Sequence, residues 1–89
     1  MYRVNLTERA ENDARKLKKS EPAAFKKLLR LIAELEAHPK TGTGKPERLI
    51  GRENEWSRRI TDKHRLIYSI KEEIVSVFVI SSYGHYGDK

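Results

Sequence analysis

The chain opens on a strict alternation. Tyr2, Val4 and Leu6 are apolar, and Arg3 and Asn5 between them are polar. Strand side chains point alternately to two faces, so this is a short strand with one buried side. Thr7 follows as a helix N-cap, with Glu8 placed for the helix dipole. Ala10, Ala14 and Leu17 recur at helical spacing and predict a first helix over residues 8–19. Its outer face carries Arg9, Arg15, Lys16, Lys18 and Lys19. Ser20-Glu21-Pro22 predicts a stop and a restart, with Ser20 capping a second helix and Pro22 in its first turn, where a missing N–H costs nothing. Phe25, Leu28, Leu29, Ile32 and Leu35 then make one apolar stripe, which stops at His38-Pro39. Two helices joined this tightly predict an antiparallel hairpin.

Residues 40–55 show no period. Thr41-Gly42-Thr43-Gly44-Lys45-Pro46-Glu47 is rich in loop formers, and a long connection in a small domain often carries function. Three strand-like runs follow: Trp56 to Thr61, His64 to Lys71 and Ile74 to Ser82, with Asp62-Lys63 and Glu72-Glu73 at the turns. Asp62-Lys63 lacks the Gly or Asn that a two-residue turn favours, so a three-residue loop, Thr61 to Lys63, is expected. That loop would pair Ile60 with His64 and Arg59 with Arg65, bringing both arginines to one face. The element order is β-α-α-β-β-β. It predicts an α+β fold, a twisted and mainly antiparallel sheet with a helical hairpin on one face and the other face open to a ligand.

Composition narrows the partners. The 89 residues suffice for one domain over 1–89, and 19 Lys+Arg against 13 Asp+Glu give a net charge of +6. Such a domain attracts nucleic acid, an anionic membrane or an acidic protein. No run approaches the roughly 20 apolar residues of a membrane span, so no membrane partner is expected. The absence of cysteine excludes disulfides and thiolate metal sites and fits a reducing cytoplasm. His38, His64 and His85 show no ligand spacing, and Gly42 and Gly44 no Walker pattern, so neither a metal nor another cofactor is expected.

The polar residues of the C-terminal half carry more information. Lys45, Glu47 and Arg48 precede the sheet, Arg58, Arg59 and Arg65 lie on strands, and His85 and Tyr86 follow the last strand. A helix-free face with Arg, Glu, His and Tyr could bind a phosphodiester and move protons around it. Trp56 fits the core better than a stacking platform, and His64 fits a structural role better than a catalytic one.

These residues also form a recognisable set. Gly44-Lys45-Pro46-Glu47, Trp56-Ser57-Arg58-Arg59-Ile60-Thr61, His64-Arg65-Leu66-Ile67-Tyr68 and the terminal His85-Tyr86 resemble the YoeB/Txe branch of the RelE/ParE toxin superfamily, over nearly the whole chain. Arg48 stands where such toxins often carry Pro, and Ile50 where some carry Lys. The resemblance implies the toxin of a type II toxin–antitoxin system. It implies an endoribonuclease that cuts messenger RNA in the ribosomal A site without a metal and so inhibits translation. Carried over residue by residue, Glu47 would be the general base, Arg65 the phosphate clamp and His85 the general acid. Tyr86, Arg59, Lys45 and Arg58 would hold the substrate. The implied partners are a YefM/Axe-like antitoxin with an acidic C-terminal segment, the message and ribosomal RNA; a homodimer is also allowed. Two other readings stay open. A ParE-like inhibitor of DNA gyrase would not need the Glu47 and His85 pair, and a basic RNA- or ribosome-binding module would cut nothing.

Overall fold

The computed structural model describes residues 2–49, 51 and 54–80. Along the chain run β1 (Arg3–Leu6), α1 (Glu8–Ser20), α2 (Pro22–Ala37), β2 (Glu47–Arg48), β3 (Glu55–Arg59), β4 (Arg65–Lys71) and β5 (Ile74–Val79). The five strands lie in the order β1-β5-β4-β3-β2. Only the β1–β5 pairing is parallel among them, and the other three are antiparallel. This is the expected α+β arrangement with one strand added, since β2 lies inside the stretch whose sequence shows no period.

Helix α1 starts where its cap dictates. Thr7 is extended and its hydroxyl accepts from the Ala10 N–H at 3.2 Å, while Glu8 and Glu11 occupy the first turn and Lys18 and Lys19 the last. The junction with α2 differs from expectation. Ser20 belongs to α1, its hydroxyl donating back to the Lys16 carbonyl at 2.9 Å. Glu21 is the shared cap residue, and its side chain makes no capping bond. That carboxylate instead meets Nε2 of the buried His64 at 2.9 Å, tying the helical junction to the start of β4.

The apolar stripe of α2 is rotated from the one its large residues suggest. Ala24, Leu28, Leu31 and Leu35 are buried, Phe25 and Ile32 are half-buried, and Leu29 is 52% exposed. The helix carries apolar residues over a wider arc than its neighbours can cover. Ala24 lies on the covered side of that arc and Leu29 on its rim.

The sheet alternates as a two-residue period requires. Ile60 of the loop, Leu66, Tyr68, Ile70, Val75 and Val77 join Ala10, Leu17, Leu28, Leu31 and Leu35 in one core, with Trp56 packed half-buried against it. Ser57, Arg59, Arg65 and Ser69 point the other way, away from the helices. A bulge in β5 opposite Ile67 and Tyr68 takes up one extra residue before the pairing of Ile67 with Val79. Among the described residues no helix is long and apolar enough to cross a membrane.

Candidate active site

The helix-free face is organised by β3. Its odd-numbered residues point there, and the register assigns each a neighbour: Glu47 of β2 is opposite Ser57, Ser57 is opposite Ile67, and Arg59 is opposite Arg65. The odd-numbered loop is present. Ile60 donates to the His64 carbonyl at 2.9 Å, and the Thr61 hydroxyl accepts from the Lys63 and His64 N–H groups at 3.2 Å each, closing the turn.

That closure fixes the spacing of the two arginines. Ile60 and His64 form a hydrogen-bonded rung, so the next pair, Arg59 and Arg65, is a non-hydrogen-bonded one, with Cα atoms about 4.5 Å apart and side chains at their closest. Like charges directly opposite each other destabilise a sheet. Arg65 turns along β3, its Nη1 donating to Ser57 Oγ at 3.1 Å. Ser57, itself buried, thus stands between the Arg65 guanidinium and the Glu47 row. Arg59 is half-exposed, with Nη1 3.6 Å from a carboxylate oxygen of the fully exposed Asp62, a surface pair that holds it weakly. Lys45 is exposed with a left-handed backbone (φ 51), and the carbonyl just before it, that of Gly44, accepts from the Arg59 N–H at 2.8 Å. Glu47, Arg59 and Arg65 thus share the helix-free face of three neighbouring strands, β2, β3 and β4, and Lys45 lies just before β2. His85 and Tyr86 lie outside the described residues.

Arg58 differs from its expected substrate-holding role. It is on the opposite face and fully buried. Nε donates to Tyr68 Oη at 3.2 Å, Nη1 to Glu34 Oε1 at 2.9 Å and to the Thr43 carbonyl at 3.3 Å, and Nη2 to the carbonyls of Thr41, at 2.6 Å, and His38. A guanidinium has five N–H donors, and here each has an acceptor inside the protein. No donor is left for a phosphate. The sequence does carry the signal, because Arg58 shares its alternation with Trp56 and Ile60, both turned to the core.

The acceptors around Arg58 respond to it. Thr43 donates to Glu34 through its hydroxyl at 2.6 Å and its N–H at 2.9 Å. The Thr43 hydroxyl is the main reason the Glu34 carboxyl is held below the ordinary glutamate value, and Arg58 adds to it. Burial pushes the Tyr68 phenol up, against the pull of Arg58, and its hydroxyl donates to the Pro39 carbonyl at 2.7 Å.

A two-helix layer on a five-stranded mixed sheet, with a carboxylate and two facing arginines on the helix-free side, is an α+β architecture of the RelE-like kind. Residues 6–86 match the family of YoeB-like toxins of bacterial type II toxin–antitoxin systems, and the chain belongs to that family. It is 34% identical over 85 residues to a toxin YoeB of Streptomyces coelicolor, covering 94% of this chain and 99% of that one. It is 43% identical over 53 residues to a toxin YoeB of Mycobacterium bovis, a match that spans 58% of this chain and only 62% of the relative's length. A solved YoeB/ParE toxin from Agrobacterium tumefaciens superposes with a TM-score of 0.80 at 29% identity, covering 89% of this chain and 95% of that one. The same fold is seen in a YoeB–YefM complex from Staphylococcus aureus, with a TM-score of 0.78 at 23% identity over 91% and 95% of the two chains.

Proposed function

We propose that this chain is an endoribonuclease that cuts messenger RNA in the ribosomal A site and so stops translation. The observation that carries the proposal is the placing of Glu47 on the same sheet face as the facing pair Arg59 and Arg65. RNA supplies its own nucleophile. Glu47 takes the proton of a ribose 2′-OH, and the oxygen attacks the adjacent phosphorus. As the 2′-O–P bond forms, the P–O5′ bond breaks, and His85 gives its proton to the departing 5′-oxygen. Arg65 and Arg59 stabilise the extra negative charge on the phosphorane-like transition state. Tyr86 and Lys45 hold the flanking chain. The products are a 2′,3′-cyclic phosphate and a free 5′-OH. A message with a single 2′-deoxy nucleotide at the cut site should resist cleavage on ribosomes, while its all-ribo parent is cut. Equal cleavage of the two would reject the mechanism.

The free domain offers little surface to position single-stranded RNA. Positioning is worth on the order of 7–11 kcal/mol in well-oriented reactions. In this reading the ribosome supplies it, with the cationic outer face of α1 (Arg15, Lys16, Lys18, Lys19) against ribosomal RNA in the cytoplasm. A YefM-like antitoxin would oppose it by laying an acidic segment across the helix-free face, drawn by the net charge of +6. Hydrogen exchange on such a complex should show new protection in β3 and β4. Protection confined to α1 and α2 would place the antitoxin elsewhere.

A further inference from the structure

The segment between α2 and β2 has no regular structure, yet its carbonyls turn inward. Those of His38, Thr41 and Thr43 accept from Arg58, and that of Pro39 accepts from Tyr68. Buried backbone groups must be paired, and here one side chain and its phenol neighbour do what a helix or ladder does elsewhere. We infer that Arg58 is a positioning residue, a buried hub that sets the height of the Lys45–Glu47 edge against Arg59 and Arg65; its catalytic part rests on the nuclease reading above.

The hub is continuous with the site on both sides. Along β3, Arg58 lies between Ser57, which pairs with Glu47 and accepts from Arg65, and Arg59, whose N–H holds the Gly44 carbonyl. Along the loop, Thr43 binds Glu34 and Arg58, and the next residues lead directly into β2. The path leaves no room for side chains at its two glycines. A Cβ on Gly42 (φ +116) would sit 2.6 Å from Glu34 Oε1, and one on Gly44 (φ +87) 2.8 Å from the Arg59 carbonyl oxygen. Buried ion pairs are in general weak contributors to stability compared with apolar packing. Fixing several loop carbonyls at defined positions, however, needs a planar group with donors on all sides, and lysine offers one nitrogen on a mobile stem.

The test uses substitutions remote from the substrate face. Thr43→Val removes the hydroxyl that holds Glu34 and keeps the shape; Thr43→Ser restores it; Arg58→Lys keeps the charge without the fork. With ribosome-bound message, Thr43→Val and Arg58→Lys should lower kcat by about tenfold to a hundredfold, the scale of a small misplacement, and leave KM within about twofold. Thr43→Ser should return kcat to the wild-type range. Amide exchange should quicken over residues 38–49 and stay unchanged in β4. Wild-type kcat in both variants would overturn the inference, as would a fall in kcat matched by faster exchange in β4, which marks general loosening. Failure of the nuclease reading looks different, since wild-type protein would leave the message intact. The exchange pattern then still decides whether the hub fixes the Glu47 edge, and unaltered exchange over residues 38–49 rejects it.

Discussion

Glu47→Ala and Arg65→Ala are each expected to lower message cleavage on ribosomes by about 10²-fold or more, the usual loss when a general base or an electrostatic stabiliser is removed. Both losses should come without unfolding. Glu47 is exposed on a two-residue edge strand, where truncation typically changes stability by about 0.5 kcal/mol or less. Arg65 is half-buried and, among the described residues, gives up its bond to the Ser57 hydroxyl. The double variant should be little worse than either single one, because groups that act on one transition state are not additive. Single-turnover cleavage read beside thermal unfolding separates chemistry from folding. Wild-type cleavage by a folded Glu47→Ala protein would remove Glu47 from the mechanism.

The second large effect is on the fold. Arg58→Met is expected to cost about 3–5 kcal/mol, because it removes the buried guanidinium that donates to three loop carbonyls and takes one partner each from the Glu34 carboxylate and the Tyr68 hydroxyl. Domains of this size have only about 5–15 kcal/mol in total. At roughly 4–8 °C per kcal/mol, the unfolding midpoint should fall by about 12 °C or more. The same cluster gives an acid dependence of definite sign. The Glu34 carboxyl is held low in the folded chain, first by the Thr43 hydroxyl, so its contribution is complete above the ordinary glutamate value of about 4.3. It is lost as the pH falls through the lower, folded value. Glu34→Gln should be less stable than wild type at neutral pH and should lose less on acidification. A melting point for Arg58→Met within a few tenths of a degree of wild type, or an acid limb unchanged in Glu34→Gln, would refute the stabilising role.

The elements that buried one face were legible in the chain. Tyr2, Val4 and Leu6 mark β1, the Thr7 cap starts α1 where it predicts, and the lack of Gly or Asn in Asp62-Lys63 points to the odd-numbered loop that sets Arg59 against Arg65. What the pattern missed has physical causes. Two residues are too few to show a period, so β2 reads as loop, although its pairing with β3 places Glu47. Charge outweighed alternation at Arg58, whose position between Trp56 and Ile60 already turned it inward. Leu29 counted as core because hydrophobicity says nothing of how wide an arc the neighbours can cover. Ser57 went unnoticed as the acceptor for Arg65, since a lone serine in a strand has no signature. His85 and Tyr86 lie within the family match, and their part in the site stays a proposal from the resemblance.

The parallel pairing of β1 with β5 bears on how the protein is made. Arg3 takes its place opposite Ile74, and the Thr7 N–H waits for the Val77 carbonyl. During synthesis β1 therefore lacks its partner until β5 has left the ribosomal tunnel. Helices α1 and α2 can form as they emerge, but the sheet closes only across nearly the whole length of the chain, the kind of long-range contact that slows folding. A partly made chain holds Glu47 and the loop around it before β4 exists to bring Arg65 alongside. The complete arrangement appears only once β5 has taken its place between β1 and β4.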